Sequence, residues 1–366
     1  MEKIKRFFEC YIPVTACNFK CEYCYIRQEH RVLDEMPEWQ YSPEYIGEAL
    51  NKERLGGGCY FSLCAGGETL LHPNMPSLIK NLLKQGHFVN VTNNGTISKA
   101  FDEILRIVPK EDLKRLHFAF SLHFIELKRK NMLERFATNV NKMHAAGCSY
   151  VVQMNMYDGY EPFLDEIKKF CIDNFGALPQ LAATRREENG MKNISYMTEH
   201  TNEEYIQIGK SFNSPLWDFT NNNFMVKRHE FCYAGDWTSL LEITSGWWKK
   251  CYASRKYINI YEDISKPIPF EAVGRYCPGF YCVNSSHFLS LGAIPNFAKD
   301  ITYAGLRNRK EAGWYNGAAV DFLSSKLSES NQQYSAFRKL WIDIKEPSAN
   351  AIYRIKNKIR RMYDSN

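Results

Sequence analysis

The chain alternates between short apolar runs and longer stretches with helical periodicity. Apolar runs rich in β-branched and aromatic residues predict strands, and apolar positions that recur every three or four residues predict amphipathic helices. The predicted strands are residues 7–14, 59–65, 87–92, 116–122, 149–156 and 178–184, and the predicted helices are residues 43–55, 74–85, 97–108, 126–146, 161–174 and 202–212. Strand–helix units in series predict a parallel sheet with right-handed crossovers.

The number of these units decides the fold class. A closed barrel of this kind needs eight, so the six units predict an α/β fold with a partial (β/α)6 TIM-type barrel over residues 1–212. The pattern changes near residue 213, where short strands and turns begin, and "SLLEITSGWWKKCY" predicts a β-hairpin that turns at Ser245 and Gly246. We therefore predict a cysteine-rich module over 213–300 and a helical segment over 301–366.

Composition and charge narrow the class of protein. A net charge of +6 over 366 residues is mild and does not indicate a nucleic-acid partner. The sequence has no apolar run long enough to span a bilayer, and its first residues lack the apolar core of a signal peptide. We expect a cytoplasmic protein without a membrane partner, so the 12 cysteines favour metal binding over disulfides.

Three cysteines follow the first predicted strand, in "CNFKCEYCY". A closed zinc site takes four ligands, and a disulfide takes two. Three thiolates from Cys17, Cys21 and Cys24 would leave one iron of a cubane cluster without a protein ligand. An incomplete zinc site stays open as the alternative.

The Cys-x3-Cys-x2-Cys spacing after the first strand, with Tyr23 before the third cysteine, resembles the radical S-adenosylmethionine (SAM) superfamily. The resemblance implies a [4Fe–4S] cluster held by Cys17, Cys21 and Cys24, with SAM chelated at its open iron. Reductive cleavage of SAM then yields a 5′-deoxyadenosyl radical that takes a hydrogen atom from the substrate. It also implies an external electron donor such as flavodoxin or ferredoxin.

Further motifs extend this resemblance over roughly residues 8–190. "CAGGETL" after the second strand resembles the element that receives the amino group of SAM, and its glycines let the backbone approach closely. "TNNGT", "FSLH" and "VVQMNM" follow or form the third, fourth and fifth strands. The resemblance therefore implies that the cofactor-binding residues are Tyr23, Gly66, Gly67, Glu68, Asn93, Ser121 and Asn155.

A second group of cysteines lies in the predicted module: Cys232, Cys251, Cys277 and Cys282. Their arrangement around a hairpin resembles the SPASM/twitch modules of many radical SAM enzymes. The resemblance implies that these four thiolates bind an auxiliary [4Fe–4S] cluster. A structural zinc site with four cysteine ligands satisfies the same spacings.

The catalytic acid or base is not evident from the sequence. His123 and Arg185 fall near predicted strand ends and are candidates for substrate binding or proton transfer. Cys64 stands two residues before Gly66, where a thiol could donate a hydrogen atom to a substrate radical; a packed strand residue is the simpler interpretation.

These observations predict a radical SAM oxidoreductase that dehydrogenates a carbohydrate or other small molecule. An auxiliary cluster suits net oxidation, since it can accept an electron from the substrate radical. A peptide-modifying enzyme is the alternative within the superfamily, and the start of the cysteine loop at residue 17 favours a small molecule over it. A non-catalytic zinc-binding interaction protein is the alternative from another class.

Overall fold

The computed structural model describes residues 2–28, 33–188 and 193–347, so the last part of the predicted helical segment lies outside the described residues. Six parallel strands pair in chain order, which confirms the predicted partial barrel. They are β1 (Arg6–Ile12), β2 (Cys59–Ala65), β3 (Phe88–Asn93), β4 (Leu116–Ser121), β5 (Ser149–Met156) and β6 (Gln180–Ala183).

The helices cover the outside of this sheet and continue into the C-terminal part. Two predicted helices are each divided in two, at Asn51 and at Asn131, where the backbone leaves the helical region. None of the helices in the described ranges is long and apolar enough to cross a membrane. The helices are α1 (Tyr25–Gln28), α2 (Pro43–Ala49), α3 (Lys52–Leu55), α4 (Met75–Lys84), α5 (Ser98–Ile107), α6 (Lys110–Leu113), α7 (Phe124–Arg129), α8 (Leu133–Ala145), α9 (Leu164–Phe175), α10 (Asn202–Lys210), α11 (Pro215–Asn223), α12 (Ser285–Phe288), α13 (Tyr303–Arg307), α14 (Gly317–Ser324), α15 (Leu327–Ser330) and residues 336–347.

The predicted module contributes strands to the barrel's own sheet. β9 (Thr238–Glu242) pairs in parallel with β1, opposite the edge that β1 shares with β2. The chain then turns back into β10 (Trp247–Lys249), with Gly246 at a φ of 82°, and this confirms the predicted hairpin. With β11 (Ile258–Asn259), the sheet has nine strands in the order β11-β10-β9-β1-β2-β3-β4-β5-β6.

The structure contains two further elements that the sequence analysis did not predict. The charged segment after β6 forms an antiparallel hairpin of β7 (Arg185–Glu188) and β8 (Asn193–Tyr196). Helix α11 begins with Ser214 as its N-cap, whose hydroxyl accepts from the amide of Trp217. The hairpin places Arg185 beside the ends of the barrel strands.

The segment after residue 300 closes the N-terminal end of the barrel strands. The ring of Phe322 stacks on Phe88 at the start of β3, with 3.9 Å between ring centroids. The amide of Tyr150 at the start of β5 donates to the Trp314 carbonyl at 2.9 Å. Because this end of the strands is closed by apolar side chains, we expect the functional site at the opposite, C-terminal end of the strands.

Candidate functional site

The cysteine loop follows β1 directly and leads into α1. Cys21 is buried, and Cys17 and Cys24 are half-buried. Burial raises the pKa of Cys17 to about 11 and that of Cys21 to about 12. The neighbouring thiols add to both shifts, because three sulfurs that lie close together disfavour one another's ionisation. The loop thus brings the three predicted ligands together.

Backbone hydrogen bonds tie this loop to the turn after β2. The amide of Gly67 donates to the Val14 carbonyl at 2.7 Å, and the amide of Glu68 donates to the Ala16 carbonyl at 2.9 Å. A Cβ atom on Gly67 would lie 2.0 Å from the carbonyl oxygen of Ala16. Only glycine permits this approach, so the Gly67 backbone sets the position of the residue before Cys17.

Glu68 is 3 % exposed and joins two strand ends. One carboxylate oxygen accepts from the amide of Leu70 at 2.9 Å, and the other accepts from the amide of Asn94 at 2.8 Å. Burial raises the pKa of Glu68 to about 7, although these two bonds oppose the shift. Each oxygen keeps a lone pair, which an ammonium group can use.

A large cavity, the central cavity, opens beside the cysteine loop at the C-terminal ends of the strands. Its volume is about 1520 Å³. It brings together nearly all the residues predicted as site residues in the barrel. Those that line it are Cys17, Cys21, Cys24, Tyr23, Cys64, Gly66, Gly67, Ser121, His123, Asn155 and Arg185.

Tyr23 is part of a buried hydrogen-bonded group. Its hydroxyl lies 2.6 Å from Nδ1 of His123 and 2.8 Å from the hydroxyl of Tyr160. Burial lowers the pKa of His123 to about 4, so its imidazole is neutral near pH 7. Since the Tyr23 hydroxyl occupies one ring nitrogen, His123 is suited to positioning Tyr23 and the cysteine loop.

Asn93, like Glu68, is a predicted cofactor-binding residue that does not line the central cavity. Its amide group donates to the Val91 carbonyl, and its side-chain oxygen accepts from the amide of Gly95, both at 2.9 Å. Side chains alternate along a strand, so Thr92 faces the cavity from β3 instead. A cofactor contact of Asn93 stays a prediction.

Arg185 and Cys64 face the same space from different strands. The Arg185 guanidinium pairs with Glu187 at 3.1 Å and stacks over the ring of Tyr25 at 5.3 Å from its centroid. Burial raises the pKa of Cys64 to about 12, which keeps its thiol protonated at neutral pH. A protonated thiol is the form from which hydrogen-atom donation would occur.

The four cysteines of the second group line one small cavity, the four-cysteine cavity, of about 610 Å³. Its remaining walls are mostly apolar and include Phe288, Leu289 and Ile294. Burial raises the pKa of Cys282 well above its usual value, and the charges of the other three thiols add to the shift. The module therefore brings these four thiols together from three loops and from the end of β10.

The spacing of the sulfurs bears on the kind of metal centre. Tetrahedral zinc, with Zn–S bonds of about 2.3 Å, brings its four sulfurs to about 3.8 Å from one another. Among the described residues, which include all twelve cysteines, no three sulfur atoms lie mutually within 4.8 Å. In both cysteine groups the sulfurs are thus farther apart than the four ligands of a single zinc ion.

A third cavity, the bridging cavity, connects the two cysteine sites. Its volume is about 1270 Å³. It shares Cys64, Gly66 and Arg185 with the central cavity. It shares Tyr252 and Asn284 with the four-cysteine cavity. The bridging cavity thus shares lining residues with the cavities of both cysteine sites.

Residues 11–171 match the family model of the radical SAM superfamily. This part of the chain is a radical SAM domain. The matched residues contain the cysteine loop and the Gly66–Gly67–Glu68 turn. The predicted superfamily and its cofactors, SAM and an iron–sulfur cluster, are therefore confirmed for this domain.

Two of the solved structures that resemble this chain are those of SuiB and anSMEcpe. SuiB of Streptococcus suis is 13 % identical over 74 % of this chain and 67 % of its own, with a TM-score of 0.48. A structure titled native anSMEcpe with bound AdoMet is 14 % identical over 72 % of this chain and 80 % of its own, with a TM-score of 0.47. Comparison with the curated proteins gives no match. These similarities assign no substrate to this radical SAM protein.

The structure adds cavity-lining residues that sequence reasoning did not single out. Glu9 lies on β1 with its side chain toward the central cavity, and Arg307 and His287 reach the same cavity from the C-terminal part. An acid between apolar residues of a buried strand is a signal by which Glu9 could have been found. No local pattern marks Arg307, because α13 enters the site only through tertiary packing.

Replacing Gly67 by Ala should displace the cysteine loop of the radical SAM domain. The added methyl group has no space beside the Ala16 carbonyl, so the cysteine ligands shift and the first cluster is lost. We expect about half the iron of the wild-type protein, if both sites hold cubane clusters. Gly317→Ala is the control, since a Cβ there meets nothing within 4 Å. Equal iron in Gly67→Ala and Gly317→Ala would contradict the assignment.

Proposed function

We propose that the chain is a radical SAM enzyme with two iron–sulfur clusters that oxidises a small polar molecule. The observation that carries this proposal is the bridging cavity, which extends from Gly66 beside the cysteine loop to Tyr252 and Asn284 beside the four-cysteine cavity. A substrate held there is within reach of both centres. The specific reaction that we propose is the dehydrogenation of a carbohydrate or a related alcohol. This part of the proposal comes from the sequence analysis.

Cys17, Cys21 and Cys24 would hold the first [4Fe–4S] cluster, and Cys232, Cys251, Cys277 and Cys282 the auxiliary one. The sulfur spacing in both groups supports clusters over zinc. When bound, SAM and the first cluster supply the 5′-deoxyadenosyl radical that removes a hydrogen atom from the substrate. Tyr23, Gly66, Gly67, Glu68, Ser121 and Asn155 are proposed to position SAM.

Oxidation of an alcohol also releases a proton, and Glu9 is placed to accept it. Its carboxylate lines both the central and the bridging cavity. Burial raises the pKa of Glu9 to about 7, against the opposing hydrogen bond from Asn284 and the charge of Arg307. A base with a pKa near the working pH transfers protons efficiently.

The remaining electron needs an acceptor, and the four-cysteine site is proposed for this role. The amide group of Asn284 donates to Glu9 at 2.8 Å, and Asn284 lies two residues after Cys282. This short connection places the proton acceptor beside the electron acceptor. Four thiolates close such a site, which favours electron transfer over substrate binding. An external donor such as flavodoxin or ferredoxin would reduce the first cluster.

Substrate screening separates oxidation of a small molecule from modification of a peptide. Sugars, cyclitols and peptides are each incubated anaerobically with the reconstituted enzyme, SAM and a reductant. A compound that accelerates the release of 5′-deoxyadenosine identifies the substrate class. Acceleration by peptides alone would replace the small-molecule proposal with the peptide-modifying one.

Replacing Cys17, Cys21 and Cys24 together by Ala should abolish SAM cleavage. With both sites loaded, the wild-type chain should hold about eight irons, and the triple variant about half of them. Iron analysis and 5′-deoxyadenosine release measure the two effects. Release of 5′-deoxyadenosine by the triple variant, or zinc without iron in an anaerobic wild-type preparation, would contradict the proposal.

Replacing Cys251 and Cys282 together by Ala tests the auxiliary site. The variant should still cleave SAM but should fail to form oxidised product, because the electron from the substrate has no acceptor. Circular dichroism must first show that the variant folds, since a metal centre can also stabilise its module. Product formation at the wild-type rate by a folded variant without the second cluster would make that site structural and favour a redox-neutral reaction.

Glu9→Gln should lower the yield of oxidised product per 5′-deoxyadenosine. In the wild type, this yield should rise between about pH 6 and pH 8, because the carboxylate form of Glu9 is the base and forms as the pH passes its pKa. Glutamine does not titrate, so the variant should show a low yield without this rise. An unchanged pH profile in Glu9→Gln would exclude Glu9 as the proton acceptor.

A further inference from the structure

Arg307 is a buried cation at the wall of the proposed substrate space. It is the last residue of α13 and is 2 % exposed. Its side chain lines the central cavity and a neighbouring cavity of about 870 Å³, the arginine cavity, which Arg185 also lines. Arg307 is therefore shielded from bulk solvent but open to a molecule bound inside.

The guanidinium group is held in a defined orientation. It lies over the ring of Tyr303, 3.8 Å from the ring centroid. Its two terminal nitrogens donate to the carbonyl oxygen and the hydroxyl of Ser286, at 3.1 and 3.2 Å. A guanidinium has five N–H groups in a planar fork, so most of its donors are left for another partner.

No carboxylate of residues 2–28, 33–187 or 194–347 forms an ion pair with Arg307. Glu9 is close enough for the charge of Arg307 to lower its pKa, but its hydrogen bond goes to Asn284. The other buried arginines of this region differ, since Arg185 pairs with Glu187 and Arg309 donates to four backbone carbonyls.

The nearby histidines add no second positive charge beside Arg307. Burial and the charge of Arg307 lower the pKa of His117 to about 3 and that of His287 well below its usual value. Both rings are therefore neutral near pH 7. The cysteine sites have other cations beside them: burial raises the pKa of Cys17 and of Cys251, and the charges of Arg27 and Lys249, respectively, oppose that rise.

A buried charge without a partner lowers stability, and a bound anion removes that cost. Arginine is well suited to the planar, two-point recognition of carboxylate and phosphate groups. We propose that Arg307 binds an anionic group, a carboxylate or a phosphate, of the substrate. This inference rests on the proposed function and deepens it, since it makes the small polar substrate an anion.

Binding of inorganic phosphate and acetate to the reconstituted holoprotein tests this inference. Thermal unfolding is followed anaerobically at constant ionic strength, with chloride as the reference anion. At least one of the two anions should raise the Tm of the wild type in a saturable way. Its apparent affinity should fall at least tenfold in Arg307→Gln and less in Arg307→Lys, which keeps the charge without the fork.

Arg106→Gln is the matched control because it removes the same charge from the exposed face of α5, where the side chain is 70 % exposed. It should bind the anion as the wild type does. In Arg307→Gln the Ser286 carbonyl keeps a hydrogen bond, because it also accepts from the Ser290 hydroxyl at 2.6 Å. We therefore expect the variant to fold. The relative affinity of phosphate and acetate distinguishes a phosphate from a carboxylate substrate.

Three results would overturn the inference. They are wild-type-like anion binding in Arg307→Gln, no saturable binding of either anion by the wild type, or a loss of SAM binding in Arg307→Gln that matches the loss of anion binding. The last would assign Arg307 to SAM. Anion binding is measured without SAM cleavage. A wild-type protein that binds the anion but does not cleave SAM would therefore refute the proposed function without affecting the test of Arg307.

Discussion

The arrangement of the molecule depends on β1, the strand that pairs with both halves of the chain. Its backbone hydrogen-bonds in parallel to β2 on one side and to β9 on the other. The cysteine loop leaves its C-terminal end, and Glu9 projects from its middle into the central cavity. Because one rigid strand carries these contacts, the position of the second cysteine group relative to the first is set by sheet register.

Close backbone approach gives the first site its geometry. The turn after β2 can hydrogen-bond to Val14 and Ala16 only because Gly67 has no side chain in the contact. Glu68 and the loop after β3 extend this network, and Asn94 reaches back to Asn18 within the cysteine loop at 2.6 Å. The loop is thus positioned by neighbouring strand ends as well as by its own short helix.

The interior of the barrel combines groups that are costly to bury. Glu9 and Arg307 face the same cavity from opposite ends of the chain, and each lacks a direct charged partner among the described residues. Phe322 and Trp314 close the N-terminal end of the strands with apolar side chains. Such uncompensated polarity is expected where a polar substrate completes the site.

Local sequence was sufficient for the six barrel strands, for the hairpin at Gly246 and for the grouping of the seven cysteines. These features depend on side-chain periodicity, turn residues and ligand spacing, which are properties of short segments. Strand alternation could also have shown that Thr92, and not Asn93, faces the interior.

Only the tertiary structure decided how distant segments meet. The pairing of β9 with β1, the hairpin that holds Arg185 and the entry of Arg307 into the central cavity each join parts of the chain that no local pattern relates. Their positions follow from the packing of whole elements, since the free energy of such contacts comes from burial and sheet pairing between remote residues. The sequence by itself therefore determined the class of chemistry, while the residues that line the central cavity were decided by the fold.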